Sequence, residues 1–201
     1  MIKTIIFDIG NVLVDYSWRS FFEKYDLDKE TFRRLSEATV LNEDWNEFDR
    51  GVLKTEEVIA LLQENDPGLS GLIGRVFENL NGLVTRRSYA IPWIEELKAR
   101  GLTVLVLSNF SEKALQDCTD AMDFLSHVDG GILSYREKVI KPMPEIYERL
   151  IRQYDLVPEE CVFLDDLQQN LDGAAAFGIH TILFQNREQA GSELEKLIMQ
   201  G

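Results

Sequence analysis

Four short segments hold the side chains with chemistry to offer: Phe7-Asp8-Ile9-Gly10-Asn11, Leu107-Ser108-Asn109, Lys141-Pro142 and Leu164-Asp165-Asp166. Each meets a different demand of one reaction type: an attacking oxygen, hydrogen-bond donors for phosphate oxygens, a fixed cation, and hard oxygen ligands for Mg²⁺. The set suits transfer of a phosphoryl group through a carboxylate. No segment is specific alone; the ordered combination carries the reading.

Asp8 closes an apolar run and is followed by Gly10, whose permissive backbone lets the carboxylate project from a sheet edge. It is the candidate nucleophile, ionised at pH 7 and able to approach a phosphate once a metal ion and a lysine draw off negative charge. An aspartate that merely caps a turn is the competing reading. Asp165 and Asp166 are neighbouring carboxylates at the end of a buried run, and their mutual repulsion argues for a cation. Mg²⁺ would take one or two carboxylates, a backbone carbonyl and a substrate oxygen. A solvated acidic turn is the alternative. Ser108 and Asn109 offer a hydroxyl, an amide and backbone N–H groups to a phosphate, or cap the next helix, or do both. Lys141 precedes proline, which holds its backbone extended. Its ammonium either pairs with Asp8 and the transferring group or lies on a surface loop.

The elements that must position these residues are legible as alternating patterns. Continuous apolar runs at Thr4 to Phe7, Leu102 to Leu107, Cys161 to Leu164 and Thr181 to Phe184 read as strands buried on both faces, with a weaker run at Gly131 to Leu133. Helical spacing follows at Trp93, Ile94 and Leu97, from Ala114 through Phe124, and at Ile146, Tyr147, Leu150, Ile151 and Tyr154. Ser192 to Met199 reads as a closing helix. Alternation of strand and helix predicts an α/β fold with a Rossmann-like parallel sheet flanked by helices. Ligands bind such sheets beyond the carboxyl ends of the strands, where all four segments lie.

Almost a hundred residues separate the first two strands, far more than one crossover helix needs. Residues 1–15 and 85–201 are therefore expected to form the core, and residues 16–84 a helical cap inserted after the first strand. Thr55 looks like the N-cap of one of its helices. Asp15 falls at the junction, as a hinge or a helix N-cap.

With 201 residues the chain can build one substantial core with an insert. Its 35 acidic and 21 basic residues leave a net charge of −14, which disfavours nucleic acid while leaving a small phosphorylated molecule admissible in a local cationic pocket. There is no run of 18 apolar residues and no secretory pattern at Met1-Ile2-Lys3-Thr4, so no membrane association and a cytoplasmic location are expected. Cys118 and Cys161 lack CxxC spacing and read as buried free thiols. His127 and His180 lack metal-ligand spacing. No obligate protein partner is inferred.

In this order the motifs resemble the haloacid dehalogenase superfamily of phosphohydrolases. They are Phe7-Asp8-Ile9-Gly10-Asn11-Val12-Leu13, Ser108-Asn109, Lys141-Pro142-Met143-Pro144-Glu145-Ile146-Tyr147, and Phe163-Leu164-Asp165-Asp166 with Asn170 and Gly173-Ala174. The likeness is strongest to the subgroup of bacterial α-glucose-1-phosphate phosphatase and the phosphatase domain of soluble epoxide hydrolase. The resemblance implies phosphorylation of Asp8, and Mg²⁺ bound by Asp8, the Gly10 carbonyl and Asp166 with help from Asp165. It implies a phosphoryl group held by Ser108, Asn109 and Lys141. Asn170 would orient the acidic pair from behind.

The chain departs from the family at Gly10, where its phosphatases usually carry a second aspartate that protonates the leaving group. Losing a general acid forfeits roughly 10²- to 10⁴-fold in rate, so substrates with good leaving groups, such as a hexose 1-phosphate, are expected. Asp15 is a weaker candidate for the missing acid. Trp45 and Arg50, polar-flanked residues before Gly51, are candidate substrate contacts, whereas Phe21 and Phe48 are expected in the core. Two other readings stay open: a non-catalytic or regulatory phosphate-binding protein, and a dehalogenase, which would leave the Asp165-Asp166 pair without a purpose.

Overall fold

The computed structural model describes residues 1–200. Its centre is a five-stranded parallel sheet made from the apolar runs: β1 (Thr4–Phe7), β4 (Thr103–Ser108), β5 (Gly130–Leu133), β6 (Cys161–Asp165) and β7 (His180–Leu183), in the order β5-β4-β1-β6-β7. Side chains alternate across it, as the two-residue period of a strand requires. Ile5, Phe7, Val104, Val106, Val162 and Leu164 enter one apolar cluster, and Ile6, Leu105, Leu107, Cys161 and Phe163 enter another. Truncating a buried phenylalanine such as Phe7 or Phe163 to alanine would cost about 3–5 kcal/mol.

Helices cover both faces. They are α6 (Ala90–Ala99), α7 (Glu112–Asp117), α8 (Ser134–Glu137), α9 (Pro144–Gln153), α10 (Gln168–Ala175) and α11 (Arg187–Gln200). Ile146, Tyr147 and Leu150 of α9 and Leu171 and Ala174 of α10 belong to the second cluster, and Trp93 and Ile94 of α6 to the first.

The register brings the strand ends level. Phe7 pairs with Val106 on one side and with Leu164 on the other. The backbone N–H of Asp8 continues that ladder to the Leu164 carbonyl at 2.8 Å. Asp8 therefore leaves the sheet beside the ends of both β4 and β6, at the position where strand order reverses.

Five helices, α1 (Trp18–Glu23), α2 (Lys29–Ala38), α3 (Trp45–Arg50), α4 (Thr55–Asn65) and α5 (Ser70–Glu78), run between two short antiparallel strands, β2 (Val14–Tyr16) and β3 (Val84–Arg86). The helices pack through aromatic side chains, Trp18 against Phe22 and Phe32, and Phe48 between Trp45 and Phe77. Phe21 and Phe48 are buried there. Helix α3 is tied to the sheet end by the Ser134 hydroxyl, which donates to the Asp49 carbonyl at 2.6 Å, and by Lys138, which donates to the Gly51 carbonyl. Gly51 turns at φ 66°, where an added Cβ would stand 2.8 Å from the Tyr135 carbonyl oxygen, so only glycine fits this close approach.

Several sequence expectations need adjustment. The pattern from Ala114 through Phe124 breaks at Cys118 into α7 and a 3₁₀ segment, Thr119–Ser126. Thr55 is the first residue of α4 and Lys54 its N-cap, whose N–H donates to the Glu57 carboxylate at 2.7 Å. Strands β2 and β3 carry no periodic signal, being three residues each. Asp15 lies in β2 and pairs with Arg87 at 2.9 Å, outside the cleft that Gly10 and Asp8 line, so it does not replace a side chain at Gly10. Both cysteines are buried free thiols.

Candidate active site

Lys141 joins two of the sheet ends. Its ammonium donates to Oδ1 of Asp8 at 2.7 Å and to Oδ2 of Asp165 at 2.5 Å. Relative exposures are 3% for Lys141, 6% for Asp8 and 0% for Asp165, so these charges meet largely out of water. A dry ion pair is strong only when its geometry and remaining hydrogen bonds are complete. Asp165 is complete: its oxygens also accept from the Leu167 N–H at 2.8 Å and from the Asn170 amide at 3.1 Å. The Tyr147 hydroxyl in turn donates to the Asn170 carbonyl at 2.8 Å. Asn170 thus supports Asp165 from behind.

Asp166, the other half of the pair, accepts from the Asn11 amide at 2.9 Å. Asn11 adopts φ 56° at the turn after β1, and its own amide oxygen accepts from the Tyr16 N–H at 3.3 Å. Asp8, Asp165 and Asp166 each present an oxygen within 4.8 Å of the others. One ammonium faces three carboxylates. Burial pushes the Asp8 carboxyl up to about 7, against the pull of Lys141 and with the push of Asp165. Asp166 is likewise raised by burial, partly offset by its bond to Asn11. Burial opposes the Lys141 charge, yet Asp8 and Asp165 together hold its ammonium above the ordinary lysine range.

The donor set suits a hard divalent ion. Lys141 engages one oxygen of Asp8 and Asn11 engages one oxygen of Asp166, so each carboxylate keeps its second oxygen for another partner. A cation there would offset the surplus of buried negative charge that raises both groups. Asp165, expected beside them as a ligand, spends its oxygens on Lys141, Asn170 and a backbone N–H.

Over residues 2–178 the chain matches the haloacid dehalogenase-like hydrolase family. It belongs to that family. The sesquiterpene phosphatase astK of Aspergillus oryzae is 26% identical over 198 residues, 98% of this chain and 96% of that protein. Bifunctional epoxide hydrolase 2 of mouse is 36% identical over 105 residues, half of this chain. The chain spans only 10 to 19% of the length of the mouse relatives it matches. A solved structure of a family enzyme from Bacteroides thetaiotaomicron, a magnesium complex, shares the fold with a TM-score of 0.75. It is 22% identical, and 98% of each chain is covered.

In this family member Ser108 and Asn109 arrive together with Asp8, Gly10, Lys141, Asp166 and Asn170 around one cleft of about 310 Å³. The Asn109 side chain does not face outward as a free donor. Its amide donates to the Lys141 carbonyl at 3.0 Å, and its oxygen accepts from the Lys141 N–H at 2.7 Å. Ser108 is buried at the end of β4.

On the opposite wall stand Trp45, Tyr16 and Asp49, but not Arg50. The Arg50 guanidinium bonds to Glu47 at 3.0 Å and to the Met143 sulfur at 3.3 Å, away from the cleft. Helical geometry accounts for the difference: Asp49 is four residues after Trp45 and shares its face, whereas Arg50 is five after it and turns aside. Tyr16 and Asp49 were missed in the sequence. The four-residue spacing from Trp45 was an available signal for Asp49; none existed for Tyr16, which sits on a strand too short to recognise. Among the described residues no helix is long and apolar enough to cross a membrane.

Proposed function

We propose that this hydrolase is a Mg²⁺-dependent phosphatase of small phosphate monoesters, with Asp8 as the attacking group. The observation that carries the reading is the Asp8 carboxylate, held by Lys141 at 2.7 Å and clustered with Asp166 at the floor of an open cleft. Asp8, Asp166 and the Gly10 carbonyl would hold the metal, with Asp165 fixing Lys141 beside them. Mg²⁺ there supplies charge neutralisation, lowering the repulsion between a carboxylate and a phosphate dianion.

In the first step the free Asp8 oxygen attacks phosphorus and the ester oxygen departs, leaving an aspartyl phosphate. Ser108 and the Asn109 backbone N–H, with the Lys141 ammonium, stabilise the equatorial oxygens. Water attack on phosphorus then returns Asp8 and releases phosphate. Residues of helices α1–α5, with Trp45 foremost, form a cap that selects the alcohol. A 310 Å³ cleft suits a small substrate. A hexose 1-phosphate leads the substrate ranking, because its anomeric oxygen departs as a better leaving group than a primary alkoxide. The name of the astK relative, and the apolar wall of Trp45, Leu83, Val84 and Phe110, make a prenyl phosphate the contrasting member of a test panel.

Phosphate release from that panel, with and without Mg²⁺, tests the reading. Asp8→Asn protein should fold and release none. A wild-type protein that leaves every ester intact while acetyl phosphate labels Asp8 durably would instead make it a regulatory phosphate-binding protein.

A further inference from the structure

We propose that Asp49, carried across the cleft by helix α3, donates the proton to the departing ester oxygen and later accepts one from the attacking water. The inference deepens the phosphatase reading and rests on it. Cleaving the P–O bond of an alkyl ester leaves a basic alkoxide, whose departure is sped by a proton donor lining the cleft. Gly10 has no side chain, and a Cβ built there would lie 3.8 Å from Asp8 Oδ2, so the position nearest the nucleophile is bare.

The remaining acidic groups around the cleft can be taken in turn. Asp8 is consumed as the nucleophile. Asp166 belongs to the carboxylate cluster with Asp8 and Asp165 and is held by Asn11. Lys141 is locked between Asp8 and Asp165 by two short ionic hydrogen bonds, which hold its proton. That leaves Tyr16 and Asp49. The Tyr16 hydroxyl is buried and lacks a hydrogen-bond partner among the described residues. Burial first, and then the Asp49 charge, raise it well above the ordinary phenol range, making it a poor acid at neutral pH.

Asp49 has both the position and the protonation. The Ser134 hydroxyl fixes its carbonyl at 2.6 Å and accepts from the Phe110 N–H at 2.9 Å, so this residue of α3 is pinned to the backbone that follows β4. The groups bearing on its carboxyl are Asp8 and Lys141 from the core and Tyr16 from β2. Burial, then the Asp8 charge, push it up to about 7 against the pull of Lys141, so it holds a proton that it can release and regain near neutral pH.

The steps balance. As Asp8 bonds to phosphorus, the P–O bond to the alcohol breaks, and the Asp49 proton goes to the alcohol oxygen, leaving Asp49 ionised. Water then bonds to phosphorus, its proton passes to Asp49, the P–O bond to Asp8 breaks, and both side chains return to their starting states.

The experiment compares wild type, Asp49→Asn and Asp49→Glu on p-nitrophenyl phosphate, whose leaving group needs no proton, and on glycerol phosphate, whose leaving group does. Asp49→Asn should lower kcat/KM for glycerol phosphate by roughly 10²- to 10⁴-fold. First-turnover release of p-nitrophenolate should fall less than about tenfold. Acid-quenched Asp49→Asn protein should retain radiolabelled phosphate on Asp8, because water attack has lost its base, and Asp49→Glu should recover part of the glycerol phosphate rate. Equal losses on the two substrates, or none, would overturn the proposal for Asp49 while wild-type phosphoenzyme leaves the phosphatase reading intact. A wild type that forms no phosphoenzyme and releases no phosphate would sink both.

Discussion

Asn109 and Lys141, 32 residues apart, exchange two hydrogen bonds between the asparagine amide and the lysine's own backbone, at 3.0 and 2.7 Å. The pairing mimics two rungs of a sheet and fixes the loop from which the Lys141 side chain reaches Asp8 and Asp165. Asn109 is therefore the part that positions the cation.

Asn109→Ala should destabilise the fold by about 1–3 kcal/mol, from two lost hydrogen bonds of ~0.5–1.5 kcal/mol each. Its kcat should fall by on the order of 10- to 10²-fold, since a misplaced charge is costly in a site built on fixed geometry. Urea unfolding and steady-state kinetics on the same preparation check both numbers. Full activity in Asn109→Ala protein would remove its positioning role.

Lys141→Met places a thioether among three carboxylates. Breaking a buried pair by deleting one partner costs about 3–5 kcal/mol where the leftover charge cannot escape. Asp8, whose carboxyl burial already lifts to about 7, can escape only by taking up a proton, so the loss should be larger at pH 8 than at pH 5. Denaturation midpoints of wild type and Lys141→Met at the two pH values test this, and a loss independent of pH would contradict it.

Metal-free protein should lose stability as pH rises from about 4 to about 7. Burial lifts both Asp8 and Asp49 to about 7 from 3.8. Within that window the native state binds more protons than the unfolded chain, so the unfolding free energy falls with rising pH. Stability contributed by these groups is present below the unfolded value and gone above the folded one. Adding Mg²⁺ at pH 7 should restore it, by about 2.7 kcal/mol at a hundred times the dissociation constant. Thermal unfolding in chelator and in Mg²⁺ at pH 5 and pH 7 checks the slope and the rescue together.

Gly131→Ala should be more damaging than a surface glycine substitution. Gly131 stands at φ 146°, and an added Cβ would lie 2.2 Å from the Val106 carbonyl oxygen across the β4–β5 pairing. Backbone strain of this kind costs on the order of 1–3 kcal/mol before the clash is counted. Gly101→Ala, with no atom within 4 Å of the added Cβ, is the control for positive φ alone, and comparable urea midpoints for the two variants would refute the packing argument.

The local sequence determined the strands that carry the chemistry, because a strand buried on both faces must be apolar throughout and so announces itself in β1, β4 and β6. It also determined that Asp8, Ser108 and the Asp165-Asp166 pair stand at strand ends, which a parallel sheet gathers at one edge, whereas Lys141 arrives on the loop after α8 and not directly from a strand. Where the pattern was weak, a compensating contact lay elsewhere in the chain: Gly130 and Gly131 extend as a strand by pairing with Leu105 and Val106 of β4.

Only the tertiary structure decided how those residues divide the work. Asp165 differs from Asp166 by one position, yet one faces Lys141 and Asn170 while the other faces Asn11, since successive side chains leave a strand on opposite sides. Asn109 turned inward to Lys141, Arg50 turned out to Glu47, and Asp49 came to the cleft through the tether between its carbonyl and Ser134. Apart from the local Arg50–Glu47 and Asp165–Asn170 pairs, these outcomes depend on contacts between segments 24 to 155 residues apart, and no local propensity encodes a distance of that kind.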